Sequence, residues 1–189
     1  MNRHESEERD ADFTVFVEAN GPRLLHTARL LTGDPHRAAD LVQAALERAY
    51  SRWGKIRAED PYAYVRRIVV NQNNDWWRRG PSRERPTADL PPDGAAPQDL
   101  AEEYARREQV RLLLGGLTTR ERTVVVLRYH LDQHEAAIAA ELGIAVGTVK
   151  STLSRALAKL RSQPGFDAPE PESQHPRDEA TPQTREARP

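Results

Sequence analysis

Arg67, Asn71, Asn74 and Arg78 recur at i, i+4, i+7 and i+11, so any helix that contains them carries all four on one side. Trp76 and Trp77 stand in the same stretch. Cations for phosphate, amides for base edges and flat rings for stacking are the side chains that single-stranded nucleic acid requires. The same residues also suit a solvated basic face above two core tryptophans. A second group lies downstream, where Ala139 is followed by Gly143 and then Val149. That order fits two helices crossing steeply over a tight turn. Alanine allows close approach, glycine supplies a positive φ, and the β-branched residue packs back from the second helix. Ile138, Leu142, Val146, Leu153 and Leu157 make the apolar seam beneath. Thr148, Lys150, Ser151, Thr152, Ser154 and Arg155 then form an outer surface of short or basic side chains, without a carboxylate among them, suited to a major groove. A plain helical hairpin is the bland alternative.

His130 and His134 could offer two imidazoles to one metal, with Glu135 adjacent, if a helix ran unbroken through them. The segment reads instead as the turn into the helix-turn-helix, and no third ligand is evident. The expectation is therefore no metal, no cofactor and no catalytic residue. With no cysteine in the chain, disulfides, thiolate metal sites and thiol nucleophiles are excluded.

The net charge of −1 hides its distribution, which is what a polyanion senses. Between positions 61 and 86 six arginines face two acids, a net of +4. From position 142 to 162 four bases face none, again +4. The acids gather between, with five from 87 to 103 and no Lys or Arg. The stretch 1–12 is acidic where a signal peptide would be basic and then apolar, and no run reaches a membrane span of roughly 18 apolar residues. A cytoplasmic protein without membrane insertion is expected.

The elements that must position these groups are helical throughout. Apolar residues recur every three to four positions from Phe13 to Leu31 and from Ala38 to Trp53. Asp34-Pro35 and Asp60-Pro61 mark helix starts, because Asp accepts from exposed amides and Pro at the first position forfeits no hydrogen bond. The helix from Pro61 ends near Arg79, before Gly80-Pro81. Leu100 to Leu117 is helical, and Thr118 or Thr119 caps a helix reaching about Tyr129. The fold class is all-α: two small helical domains joined by a flexible linker, the second containing the helix-turn-helix. Residues 1–12 form an acidic arm, 13–80 the first domain, 81–99 the linker and 100–162 the second domain. Residues 163–189, rich in Pro and acids, form a disordered tail.

The stretch LTTRERTVVVLRYHLDQHEAAIAAELGIAVGTVKSTLSRALAKLR resembles the promoter −35 binding domain of extracytoplasmic-function (ECF) sigma factors of the sigma-70 family. DPHRAADLVQAALERAYSRW followed by PYAYVRRIVVNQNNDWWRR resembles their polymerase-binding and −10 recognition domain. The resemblance implies a transcription initiation factor without catalysis. Its implied partners are core RNA polymerase, promoter DNA and an anti-sigma factor. Asp40, Leu41, Gln43 and Arg48 match the stretch that docks on polymerase. The loop from Gly54 to Asp60 matches the segment that captures a flipped −10 base, with Ile56 near the pocket. Arg67 and Asn71, with Asn74 and Arg78 on the same face, match the helix that meets the −10 strand. Thr148, Lys150, Ser151, Ser154 and Arg155 match positions that touch the −35 duplex. Thr152 and Ser154 depart from the side chains common in that family, as do Ala39 and Ala44 in the docking stretch. The competing reading is a helix-turn-helix regulator that is not a polymerase subunit. For such a protein a ligand or phosphorylation domain is expected in the N-terminal half.

Overall fold

The computed structural model describes residues 3–79, 98–164 and 166, and among them every regular element is a helix. The N-terminal half comprises α1 (Arg3–Thr32), α2 (Pro35–Tyr50), the single turn α3 (Trp53–Ile56) and α4 (Pro61–Arg79). The C-terminal half comprises α5 (Gln98–Gly115), α6 (Thr119–Val125), α7 (Glu135–Leu142) and α8 (Val146–Arg161). A π-helical turn, Val126–His130, continues α6. The expected linker lies outside the described residues except where α5 begins, and nearly all of the expected tail lies outside them too.

Local chemistry sets the helix starts. Asp34 Oδ1 accepts from the amides of His36 and Arg37 at 2.8 and 3.1 Å, with Pro35 next in line. Asp60 Oδ1 accepts from the Ala63 amide at 2.9 Å. At α6 the Thr118 hydroxyl accepts from the Glu121 amide while Glu121 Oε2 accepts from the Thr118 amide, so two otherwise orphaned donors are satisfied reciprocally.

Residues 3–12, expected as a separate acidic arm, are the first turns of α1. Asp10 and Asp12 are in use. Trp53 Nε1 donates to Asp12 Oδ2 at 3.0 Å, and the Tyr50 hydroxyl donates to Asp10 Oδ1 at 2.6 Å. Phe13 and Phe16 close on Trp53 with ring centroids 5.0 Å away, tying α1 to the end of α2 and to α3.

Leu24, Ala28 and Leu31 of α1 meet Ala38, Val42 and Ala45 of α2 and Val65, Val69 and Val70 of α4 in the first core. Val124, Leu127, Ile138, Val149, Leu153 and Ala156 build the second. The halves are not held apart. Both α1 and α4 pack against α6, α1 meets the π turn, and α4 meets α7. Arg122, only 4% exposed, donates from Nη1 to the Thr32 carbonyl and from Nε to the Leu114 carbonyl, each at 3.0 Å. Thr32 ends α1 and Leu114 lies in the last turn of α5, so one guanidinium serves carbonyls at two helix C-termini. Those ends carry partial negative charge that offsets part of the desolvation of the cation. Burial, and then the nearby Arg37, lowers the proton affinity of Arg122. Across the same seam Arg66 lies 3.9 Å from Glu141, which also accepts from Gln133 Nε2 at 2.8 Å.

Candidate functional site

The face selected by helical spacing on α4 is partly open. Arg67 and Asn71 are exposed and Asn74 is half-buried, whereas the side chains of Trp76, Trp77 and Arg78 lie outside the described residues. Asn73, a residue the spacing did not single out, is fully buried. Its Oδ1 accepts from Arg37 Nη2 at 3.0 Å, which fixes α4 against α2 and so aims the neighbouring Asn71 outward.

The loop before α4 is carried on two buried side chains. Trp53 and Ile56 are 2% and 8% exposed, because a single helical turn sends i and i+3 the same way, here into the core. Ile56 therefore anchors the loop from beneath. Gly54, Lys55, Arg57, Ala58, Glu59 and Asp60 are exposed above it.

On α2, Asp40, Gln43 and Arg48 are exposed and Leu41 is half-buried. Gln43 Nε2 donates to Glu47 Oε1 at 3.1 Å. Gln43 also borders a groove of about 500 Å³ between α1 and α2, whose apolar lining includes Phe13, Leu25, Val42, Leu46 and Tyr50. An exposed polar rim beside an apolar groove is a surface on which another protein's helix can seat.

Between α7 and α8, Gly143 has φ +64° and Ile144 donates its amide to the Ala139 carbonyl at 3.0 Å. Ala139 and Val149 are buried at the crossing, so the helix-turn-helix read from the sequence is present. Lys150, Ser151, Ser154 and Arg155 are exposed on α8 and Thr148 is half-buried. Three details differ. Thr152, expected outside, is 1% exposed, since it shares the inward side of α8 with Val149, Leu153 and Ala156. Val146, expected in the seam, is 40% exposed at the helix start. A carboxylate does approach the outer surface: Glu135 of α7 lies 3.7 Å from Lys150 Nζ. Arg155 Nε donates to the Ser151 carbonyl at 3.2 Å, which lays its stem along the helix.

One ionic contact on a buried carboxylate escaped sequence reading. Lys159 Nζ donates to Glu121 Oε2 at 2.7 Å, joining α8 to α6. Burial raises the Glu121 carboxyl, but hydrogen bonds from Lys159 and Thr118 together outweigh it and leave the group below its ordinary value. The capping pattern at Thr118 could have flagged Glu121. Nothing local could have flagged its partner 38 residues on. As for the histidines, the chain leaves the helix after His130, and Asp132 takes φ 47°, so His130 and His134 do not share a helix face. Among the described residues no three metal-ligating side chains converge.

The model of sigma-70 region 2 matches residues 16–82 and that of sigma-70 region 4 matches 107–160. The RNA polymerase sigma-E factor of Streptomyces avermitilis is 42% identical over 155 residues, covering 80% of this chain and 84% of the relative. The ECF RNA polymerase sigma factor SigL of Mycobacterium tuberculosis is 32% identical over 137 residues, covering 69% and 76%. This chain belongs to the ECF sigma factors of the sigma-70 family. A sigma factor RpoE from Bartonella quintana, crystallised with the anti-sigma factor NepR, has the same fold with a TM-score of 0.56. It is 24% identical, and the alignment covers 79% of this chain and 94% of that one. As a sigma factor, the chain directs RNA polymerase to promoters. Among the described residues no single helix is long and apolar enough to cross a membrane.

Proposed function

We propose that this sigma factor divides its work among three surfaces, with no catalytic chemistry of its own. The rim of α2, Asp40, Leu41, Gln43 and Arg48, docks on core polymerase beside the α1–α2 groove. Arg67, Asn71, Asn74 and Arg78 of α4 meet the −10 strand, and the exposed loop carried on Ile56 receives an extruded base. Unstacking a base costs a few kcal/mol, which a fitted pocket offsets. Thr148, Lys150, Ser151, Ser154 and Arg155 of α8 meet the −35 duplex, with Lys150 and Arg155 as base or phosphate donors. The observation that carries this division is that Gln43 and Arg48 on α2, Arg67 and Asn71 on α4, and Lys150 and Arg155 on α8 are exposed on helices whose opposite sides are buried.

The packed arrangement of the halves supports a further step. Elements named −10 and −35 lie about 25 base pairs apart, roughly 85 Å at about 3.4 Å per pair. A closed body of this size has a radius of gyration of only about 15 Å. One closed molecule does not span both elements, so the halves separate when polymerase and promoter are engaged. Arg122 and the Arg66–Glu141 contact are what must be released. An anti-sigma factor is a further proposed partner, since the Bartonella relative of the same fold was crystallised with one. The site of action is the cytoplasm.

A regulator that is not a polymerase subunit would have no use for the region 2 match over residues 16–82. The deciding experiment is transcription in vitro with core polymerase on a promoter library, with and without this chain. Promoter-specific transcripts that appear only on its addition are expected, and none on any template would reject the proposal.

A further inference from the structure

A cavity of about 420 Å³ opens where the two halves meet. Arg23, His26, Thr27 and Arg29 of α1 form one wall, Tyr62 of α4 another, and His130 closes it from the C-terminal half. No carboxylate lines it. Asp132, the acid next to this rim in sequence, is turned to solvent and pairs with Arg128 at 3.6 Å. Two permanent cations and two imidazoles thus converge on one space without a counterion in its walls. None of these groups belongs to the polymerase or promoter surfaces above.

The arrangement suits an oxyanion. The Arg23 guanidinium lies 4.5 Å from the Tyr62 ring centroid, and stacking holds the planar fork while leaving its N–H edge for a ligand. Thr27 Oγ1 donates to the Arg23 carbonyl at 3.1 Å, which uses its single hydrogen. The same hydroxyl oxygen lies 3.1 Å from His130 Nε2, which ties the ring to α1. His130 is a titratable ring in this wall and can gain a proton as negative charge arrives. The His26 ring stands 5.1 Å from the His130 ring.

We propose that this cavity binds a small phosphorylated anion of the pyrophosphate type, bridging the two halves of the chain. Partial burial, then His26 and Arg23, holds His130 below its ordinary value of 6.5, and a bound anion reverses the two electrostatic contributions. Because α1, α4 and the His130 turn are all needed, the ligand binds the closed form and not the open one. Binding to one state alone shifts the balance by about a hundredfold when ligand stands at about 100 times its Kd. The anion accordingly opposes the opening that promoter engagement requires.

The test is calorimetric titration of the full chain with inorganic pyrophosphate at about 0.1 M salt, with the His130 ring followed by NMR. Expected are one site per chain, an upward shift of the His130 titration on saturation, and at least about tenfold weaker binding in the Arg23→Ala, Arg29→Ala double variant. Both substituted side chains are exposed, so the fold is not at stake, and circular dichroism checks it. Lys150→Ala is expected to leave pyrophosphate binding unchanged. Absence of binding at millimolar pyrophosphate, or equal affinity in the double variant, overturns the proposal. A non-promoter duplex that displaces pyrophosphate, and itself loses affinity in the double variant, would assign the cavity to DNA backbone and overturn it too. None of these readouts involves polymerase, so promoter reading stands or falls separately.

Discussion

Arg122 joins the two halves of this sigma factor by donating to the carbonyl of Thr32, 90 residues earlier, at 3.0 Å from a position only 4% exposed. A buried guanidinium is costly unless its donors are used, and here the C-termini of α1 and α5 receive two of them. Arg122→Met keeps much of the stem and removes the charge and both bonds. The expected result is a seam weakened by about 2 kcal/mol, since each bond to a charged group contributes roughly 1.5–3 kcal/mol and the desolvation cost disappears with the charge. Distances between spin labels on α2 and α8 should broaden toward longer values while helicity is retained. Unchanged distances would mean that apolar contacts alone hold the seam.

Glu121 makes stability depend on acid pH. Lys159 and Thr118 hold its carboxyl below the ordinary value of 4.5 despite burial, so near that pH the folded chain binds fewer protons than the unfolded one. The stability it adds is complete above 4.5 and is lost as pH falls through the depressed value. Glu121→Gln still accepts from the Thr118 amide but loses the Lys159 ion pair. It is expected to cost about 1 kcal/mol at neutral pH and to flatten the acid limb of a urea-denaturation series. A wild-type slope persisting in the variant would place the titration on another carboxylate.

What was legible in the sequence was whatever a local rule controls. Asp34, Asp60 and Thr118 announce helix starts because a side-chain acceptor and the amides it serves lie within three residues. Gly143 announces the turn because its φ is intrinsic to the residue. Failures came where burial is decided by another element. Thr152 was read as outward because it is polar, yet it shares the inward side of α8, and no local rule shows that α3 turns Ile56 into the core. The Arg122 and Lys159 partners are distant in sequence, and no spacing rule reaches them. Asn73 sat beside the chosen α4 face, but only the position of Arg37 reveals that it is structural.

Gly143→Ala tests the turn without introducing a clash. A Cβ built there meets no atom within 4 Å, so the cost is the backbone's alone, at φ +64°. About 1 kcal/mol of stability is expected to be lost. Thermal unfolding should show a lower Tm, with −35 binding reduced only in proportion to the unfolded fraction. A loss of DNA binding in a fully folded variant would show that the turn also sets the tilt of α8.

Asn71→Ala separates reading from docking. Asn71 is exposed on α4, whereas the rim proposed to face polymerase lies on α2. Permanganate reactivity of −10 thymines, which reports strand opening, should fall while affinity for core polymerase is unchanged. Arg67→Ala should weaken the same step with a stronger dependence on salt, because a guanidinium contact to phosphate releases counterions. Equal loss of core binding and opening in Asn71→Ala would place this face of α4 against polymerase.

On the surface proposed to meet the −35 duplex, Lys150 has a carboxylate neighbour. Glu135 lies 3.7 Å from its ammonium, and the two side chains are 36% and 64% exposed, so the pair is screened and weak. On DNA, Lys150 must exchange that carboxylate for a phosphate or base edge, and Glu135 would face the polyanion. Glu135→Gln should therefore raise −35 affinity by a few fold and leave sequence preference unchanged, since the same donors reach the groove. Lys150→Ala should weaken binding. If Lys150 meets phosphate, the loss is uniform across sequences and the slope of log affinity against log salt falls by about 1. If it meets a base, the loss is concentrated at one promoter position. Binding measured on −35 duplexes over a salt series decides between these two, and an affinity unaffected by Lys150→Ala would remove Lys150 from the interface.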